Sequence, residues 1–320
     1  MLNLSNILTI RICMQQAVTL PEYHNPITAR VVHHYHGRPS GEIRKMMPKE
    51  VTADETIQKQ ATDILHLALC SDLRRRILIF LSDGKKSLGD LRENLNVSST
   101  TAIHALRDLE KHNLTFQDHE RNYQLTTIGT VVTYEIIDFS NTAEALARAK
   151  ELLLEHDISG IPTSLLQKVG CLKDATVITI DSTDLYKIHN TFMNSLKGVK
   201  EINGISPIFV SDYPTVFEEI LDHPVEVQLI LTADVLEKVV QAADKESLRR
   251  ALDVNLRLYI IKQNPKVAFT STDKYIFLGL YNLNGSYDVS KLLMGQSNKA
   301  IEWGRLLFEH YVGLSTRITL

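Results

Sequence analysis

The chain has 320 residues, of which 44% are hydrophobic and 23% are charged, and its formal net charge is -3 at pH 7. This length excludes a single small domain, and the charge excludes a globally basic nucleic-acid binder, so any nucleic-acid contact must come from a local patch. The sequence contains no run of 18 apolar residues, so no membrane span is predicted. The three cysteines, which lie far apart in sequence, are Cys13, Cys70 and Cys171. This spacing favours a reducing compartment and argues against a metal site, so we expect a cytoplasmic protein without a cofactor or metal.

Residues 1–50 show no sustained helical or strand period and contain four prolines. We therefore expect a mostly disordered extension, with the functional chain starting near Met46 or Met47. The adjacent residues His33, His34, Tyr35 and His36 lack an acidic or cysteine partner, so no metal site is predicted there.

Four helical patterns run from Thr56 to about His112. The second pattern begins at Asp72 and the third covers Leu88–Leu95, where the preceding serine can cap the first turn. A polar turn then leads to Ser98, which can cap the fourth pattern. Two helices joined by such a turn indicate a helix-turn-helix.

The fourth helix has one apolar face and one polar face, because its hydroxyl, histidine and cationic residues fall together at 100° per residue. Hydroxyls and histidine can reach base edges in the DNA major groove, and arginine can bind guanine or phosphate. The sequence therefore predicts a recognition helix. The residues expected to contact DNA are Ser98, Ser99, Thr100, Thr101, His104, Arg107 and Lys111.

Two short strand patterns follow, at 114–117 and 123–126, and this order of elements predicts a winged helix-turn-helix over residues 55–127. At the tip of the wing, His119, Arg121 and Asn122 are suited to phosphate or minor-groove contact, although Arg121 also suits an ordinary solvated turn. The basic triplet at 74–76 lies among aspartates, which favours a salt-bridged surface over a DNA contact.

Residues 55–127 hold ten lysines and arginines against ten aspartates and glutamates, so the predicted DNA affinity of one subunit is modest. A homodimer would place two recognition helices on DNA. Residues 128–158 are predicted to form a linker and dimerisation helix, with a helix packed on its own domain as the alternative. Its apolar stripe contains Val132, Ile136, Phe139, Ala143, Leu146 and Leu153.

The pattern changes after Gly160 and Pro162, and residues 160–315 alternate β-branched runs with helical patterns. Strands are predicted at 175–180, 225–231, 256–261, 267–270 and 275–280. Helices are predicted at 184–197, 214–221, 233–242 and 298–311. The expected fold class is an α+β winged helix-turn-helix followed by an α/β effector domain, in which helices cover a mixed sheet.

Residues 55–315 resemble the archaeal transcription regulators of methanogens that join an ArsR-like winged helix to a methanogenesis-regulatory effector domain. The segments that carry this resemblance are SPIFV at 206–210, LILT at 229–232, VAFTSTDKYIFLGL at 267–280, GSYD at 285–288 and AIEWGRLLFEHY at 300–311. The effector domain of this family resembles a degenerate half of a phospholipase-D-like fold. The catalytic HxKxxxxD motif of that fold is absent here, because none of the twelve histidines is followed two places later by lysine.

The sequence also lacks the GxSxG, Walker, GxGxxG and HExxH motifs, so no enzyme is predicted. The expected function is a DNA-binding transcriptional regulator controlled by a small metabolite, and the alternative is an assembly module whose winged helix binds protein. The candidate ligand residues are Tyr281, Tyr287, Asp288 and Trp303, which lie near the ends of strand and helix patterns. Core packing is the alternative for Trp303, and turn capping is the alternative for Asp288.

Overall fold

The computed structural model describes residues 53–180, 184, 186–211, 213–221 and 223–318. The predicted extension at 1–50, with its histidine cluster, lies outside the described residues. All described residues belong to one unit of the chain.

The first part of this unit has the predicted order of three helices, recognition helix and wing. Its elements are α1 (Ala53–Leu69), α2 (Asp72–Leu81), α3 (Leu88–Leu95), α4 (Ser99–Lys111), β1 (Thr115–Gln117) and β2 (Tyr123–Leu125). Serine side chains cap α2, α3 and α4, and each accepts a hydrogen bond from a backbone N–H of its helix. Asn96 ends α3 in the left-handed conformation, with φ of 53°. These local signals fix the turn that precedes the recognition helix.

The core of this part is built from leucines that are withdrawn from solvent. Leu78, Leu91, Leu106 and Leu109 are each at most 1% exposed. Burying one such side chain stabilises the fold by about 1.5–3 kcal/mol. The helix α4 is therefore held by its apolar face, and most of its polar face is exposed.

A long helix, α5 (Thr127–Arg148), connects the two parts of the structure. Near its start, a Cβ on Gly129 would lie 1.8 Å from the carbonyl oxygen of Leu114, so only glycine permits this contact with the wing. Near its end, α5 packs against a 3-10 helix at Val169–Leu172, where a Cβ on Gly170 would lie 2.9 Å from the backbone nitrogen of Thr142. The helix is thus fixed to both parts of the structure.

Short elements follow α5 and lead into a mixed sheet. The helices are α6 (Lys150–Glu155), α7 (Thr163–Leu166), α8 (Lys187–Ser195), α9 (Tyr213–Leu221), α10 (Ala233–Ala242), α11 (Lys245–Val254) and α12 (Asn298–Gly313). The strands are β3 (His156–Asp157), β4 (Thr176–Thr179), β5 (Glu201–Ser206), β6 (Glu226–Thr232), β7 (Leu256–Ile261), β8 (Val267–Thr272), β9 (Ile276–Asn282), β10 (Lys291–Gly295) and β11 (Thr316–Arg317).

The strand order is β11-β7-β6-β5-β8-β9-β10-β4, and β3 pairs with the C-terminal end of β9. Strands β5, β6 and β7 are parallel, whereas β5 pairs with β8, β8 with β9, β9 with β10, β10 with β4, and β11 with β7 in antiparallel register. The sheet is therefore mixed, as expected. All the predicted strands and helices of this part are present, but six further elements were not predicted: β3, β5, β10, β11, α7 and α11.

Each face of the sheet has its own core. On one face, α12 brings Trp303, Leu307 and Tyr311 against β8 and β9. On the other face, α9, α10 and α11 pack over β5, β6 and β7, and α8 packs over β4 and β9. None of the helices in the described part is long and apolar enough to cross a membrane.

Candidate functional site

The outward face of α4 carries the polar residues that the sequence singled out. Thr100, Thr101, His104, Arg107 and Lys111 are all exposed. Ser99 is half-buried, and the Ser98 hydroxyl is engaged in the helix cap, where it accepts from the backbone N–H of Thr101 at 3.1 Å. This face of α4 therefore presents hydroxyl, imidazole and cationic groups, which can form hydrogen bonds with base edges or phosphates.

Ion pairs hold α4 in place and occupy the neighbouring arginines. Arg74 binds the Asp108 carboxylate of α4 at 3.0 Å and donates from Nε to the carbonyl of Leu67 at 3.3 Å. Arg75 binds Asp72 at 2.6 Å, and the third arginine of the triplet binds the same aspartate and the C-terminus of α3. The triplet therefore forms the salt-bridged surface that the sequence favoured.

The tip of the wing is a tight turn that projects two of its three predicted contact residues. Arg121 has φ of 64° and is exposed, as is His119, whereas Asn122 is half-buried. Asp118 accepts from the backbone N–H groups of Asn122 and Glu120, and these hydrogen bonds hold the pKa of its carboxyl below the ordinary value. The acidic groups of the tip are thus engaged within the domain, since Glu120 also binds Lys85 at 2.6 Å.

The predicted dimer stripe runs along α5 and reaches Leu153 on α6, and the structure corrects the prediction for one of its residues. Ile136 is 3% exposed and lies in the core of the winged part, so it cannot face a second subunit. Phe139 is 61% exposed and Leu146 is 46% exposed. The stripe divides because α5 buries one side against the wing and another against the 3-10 helix. Val132 and Leu153 are half-buried against the two cores, and Ala143 is exposed.

A large cavity lies between the sheet and the helices α8, α9, α10 and α11, with a volume of about 750 Å³. Small residues on adjacent strands form its floor. Gly204 of β5 pairs with Thr270 of β8, and Ala268, two residues before Thr270 on β8, lies on the same face of the sheet. The walls are mainly aliphatic and aromatic. A cavity of this volume and lining suits a small apolar molecule.

Of the four predicted ligand residues, only Tyr287 lines this cavity. Its phenol ring covers Gly279, where an added Cβ would meet the hydroxyl at 2.2 Å. Tyr281 packs edge-on against the Tyr287 ring, with centroids 5.5 Å apart. Trp303 lies on the other face of the sheet, fully buried, with its Nε1 donating to the carbonyl of Leu165 at 3.0 Å. Trp303 is thus a core residue in this structure.

Asp288 lies beside the cavity in a joint between the end of α6 and the sheet. Its Oδ2 is 2.9 Å from Nε2 of His156, and Nδ1 of the same ring is 2.7 Å from the carbonyl oxygen of Leu152. Burial would raise the pKa of Asp288, but hydrogen bonds from Ser290 and His156 outweigh it and hold the pKa below its ordinary value. Asp288 therefore links two segments of the chain.

Two exposed ion pairs flank this buried contact. Glu155 binds Lys291 of β10, and the Lys291 pKa is raised mainly by that hydrogen bond. Asp157 binds Lys266 at 2.8 Å, which holds the pKa of Asp157 well below its usual range. Three consecutive residues thus attach the end of the α5–α6 segment to the sheet. Sequence reasoning missed Lys291, because β10 itself was not predicted.

Comparison with known proteins gives matches over both parts of the structure. A family model described as the N-terminal domain of methanogenesis regulatory protein FilR1 matches residues 62–142, and one described as its middle domain matches residues 185–313. The chain is 27% identical over 254 residues to methanogenesis regulatory protein FilR1 of Methanothrix harundinacea (strain 6Ac). This match covers 78% of the chain and 56% of that protein, so the chain spans just over half the length of its curated relative.

Among solved structures, TrmBL2, described as an archaeal chromatin protein, matches 81% of this chain and all of its own, at 15% identity and a TM-score of 0.37. HlyU from Vibrio cholerae N16961 matches 26% of this chain and 87% of its own, at 26% identity and a TM-score of 0.23. The two FilR1 domain models cover α4 and all but one of the residues that line the cavity, and together they span more than half of the chain. The chain belongs to the methanogenesis regulatory protein FilR1 family.

Proposed function

We propose that the protein is a sequence-specific DNA-binding transcriptional regulator that acts as a homodimer and is controlled by a small molecule in the cavity. The observation that carries this proposal is the outward face of α4, where hydroxyls, a histidine and two cations are exposed on a helix held by its apolar face. The name of the curated relative, methanogenesis regulatory protein, supports the same reading.

The alternative, a winged helix that binds protein, would favour exposed apolar residues on this face. The described face instead presents Thr100, Thr101, His104, Arg107 and Lys111. Double-stranded DNA is therefore the partner that its chemistry fits. We further propose that the winged helix is ArsR-like and that the second part is a degenerate phospholipase-D-like half. In this proposal the protein has no enzyme activity.

Control by a small molecule is proposed because a cavity of about 750 Å³ lies in the second part, and α5 joins that part to the DNA reader. A ligand can change DNA affinity only if it binds one arrangement of the two recognition helices more tightly than another. A typical coupling corresponds to about a 5- to 150-fold change in affinity, and it must be reciprocal.

The test begins with genome-wide mapping of binding sites and continues with mobility-shift titrations of the recovered sequence. Arg107→Ala with His104→Ala should weaken binding by about 1–3 kcal/mol for each base contact removed, and should change sequence preference. Lys245→Ala, an exposed site on α11, serves as the control. If the double variant binds DNA as tightly as the parent protein, α4 does not read the groove.

A further inference from the structure

Thr270 of β8 is a polar residue in the floor of the cavity. Its neighbours Phe269 and Ser271 lie under α12, because a Cβ on Gly304 would lie 2.9 Å from Cζ of Phe269 and 3.2 Å from Oγ of Ser271. Successive residues of a strand point to opposite faces of the sheet. The Thr270 side chain therefore points to the face that carries the cavity, and Thr270 belongs to its lining.

The surroundings of Thr270 leave its hydroxyl open to the cavity. Thr270 pairs on one side with Gly204 of β5, which has no side chain, and on the other side with Phe277 of β9. Ala268, the preceding residue of β8 on this face, adds only a methyl group. Thr270 is half-buried, and its hydroxyl forms no hydrogen bond with any group in the described part of the chain. Such a hydroxyl can donate to a ligand or accept from it.

Two other polar side chains of the lining are engaged within the chain. The Ser206 hydroxyl donates to the carbonyl of Ile208 at 2.7 Å. The Asn255 amide donates to the carbonyl of Leu221 at 3.2 Å. These two groups hold segments of the wall together, whereas the Thr270 hydroxyl has its hydrogen-bonding capacity unused.

The charged residues around the cavity do not place a buried charge inside its described lining. Glu219 and Arg250 line the cavity but are exposed to water. The Lys291 side chain lies on the other face of the sheet, because Lys291 stands two residues before Leu293, which packs in the core under α12. His189 of α8 is the half-buried ionisable side chain that remains. Moving an ionised ligand group out of water is strongly unfavourable without a charged partner, so this lining favours an uncharged ligand.

Large apolar side chains form the walls and belong to the core on the cavity face of the sheet. They include Phe192, Phe209, Phe217, Leu229, Leu231 and Phe277. Walls of this kind favour a ligand with an apolar body and few polar groups.

We propose that the cavity binds an uncharged, mainly apolar molecule with one oxygen-containing group, and that the Thr270 hydroxyl forms a hydrogen bond with this group. This inference names the ligand class for the proposed function, and it rests on that function only in taking the cavity as the site of the controlling small molecule.

Calorimetry of the full chain with decan-1-ol, decanoate and decylammonium tests the ligand class, because the three probes share an apolar chain and differ in charge. Decan-1-ol should bind, and the two charged probes should bind severalfold more weakly. Absence of decan-1-ol binding, or equal or tighter binding of either charged probe, would overturn the proposal. Tighter binding of decanoate would instead assign its carboxylate to His189 or Arg250.

The contact with Thr270 is tested by two variants that fold as judged by circular dichroism. Thr270→Val keeps the shape of the side chain without the hydroxyl, and it should weaken decan-1-ol binding about two- to tenfold, as expected for the loss of one neutral hydrogen bond. Thr270→Ser keeps the hydroxyl and should bind decan-1-ol nearly as tightly as the parent. Thr179→Val makes the same change at an exposed threonine outside the lining, on the face of Lys291, and should not alter binding.

Equal decan-1-ol affinity in the parent and Thr270→Val, or equal weakening by Thr270→Val and Thr270→Ser, would refute the contact. None of these measurements uses DNA. A chain that binds decan-1-ol in this way but never binds DNA would therefore contradict the proposed function alone. A chain that binds its operator but prefers a charged probe would contradict this inference alone.

Discussion

Replacing Phe139 and Leu146 with aspartate should give a folded monomer, whereas Ile136→Asp should unfold the winged part of the structure. The three residues belong to one apolar pattern in sequence, but the first two are 61% and 46% exposed and the third is 3% exposed. The exposed pair therefore has apolar surface to bury against a second copy. Ile136 has already buried its surface within its own chain.

The magnitudes separate these outcomes clearly. Ile136→Asp loses about 1.5–3 kcal/mol of burial and places a carboxylate in an apolar core, so its total cost should be about 4 kcal/mol or more. That is a large share of the roughly 5–15 kcal/mol by which a domain is stable. Burying about half of Phe139 and Leu146 contributes about 1 kcal/mol per side chain. In a symmetric interface the four side chains contribute about 4 kcal/mol, or about a thousandfold in the dimer Kd.

The assay is light scattering together with circular dichroism and urea unfolding. The variant with Phe139→Asp and Leu146→Asp should scatter as a monomer, keep the parent's circular dichroism spectrum, and unfold in urea at a midpoint that does not depend on protein concentration. Its DNA affinity should fall because it presents one recognition helix. Ala147→Asp adds the same charge at another exposed position of α5 and should leave the dimer intact. A double variant that still forms a dimer would place the interface elsewhere. A stably folded Ile136→Asp protein would refute the packing argument itself.

Two further substitutions test the contacts that hold the sheet to its surroundings. His156→Ala should cost about 1.5–3 kcal/mol in urea unfolding because it removes a hydrogen bond to the largely buried Asp288 carboxylate, which keeps only its hydrogen bonds from Ser290, and a loss below about 1 kcal/mol would contradict this. Tyr311→Phe should cost about 1–3 kcal/mol because the Tyr311 hydroxyl lies 2.6 Å and 2.7 Å from the buried carbonyl oxygens of Gly160 and Pro265, and its single proton can be donated to either. Burial raises the pKa of Tyr311 to about 12 from an ordinary value of 10.0, so its neutral form is favoured in the folded chain. The stabilisation that neutral Tyr311 gives to the folded chain should be fully present below pH 10 and lost as the pH rises towards 12. If the difference in unfolding free energy between the parent and Tyr311→Phe stays constant over this range, the buried hydroxyl is not the cause of the stabilisation.

The sequence predicted those elements of the fold that depend on near neighbours in the chain. Serine caps begin α3 and α4, Asn96 ends α3, and the polar face of α4 follows from helical spacing alone. The main strands of the sheet were found in the same way, as β-branched runs. In contrast, β5 was missed because Asn203 and Gly204 interrupt its apolar pattern, although Gly204 lines the cavity.

Only the tertiary structure decided what each apolar face of a helix or strand packs against. Helical spacing placed Ile136 and Phe139 in one stripe, but spacing does not distinguish a residue that packs on its own domain from one left free for a second copy. An aromatic residue near the end of an element can likewise face either side of a sheet, so Trp303 became core while Tyr287 became cavity wall. Hydrophobic periodicity predicts only that a side chain is buried, not which residues it packs against. The residues it meets, such as Lys291 beside Glu155, come from distant parts of the chain and are brought together only by strand order and register.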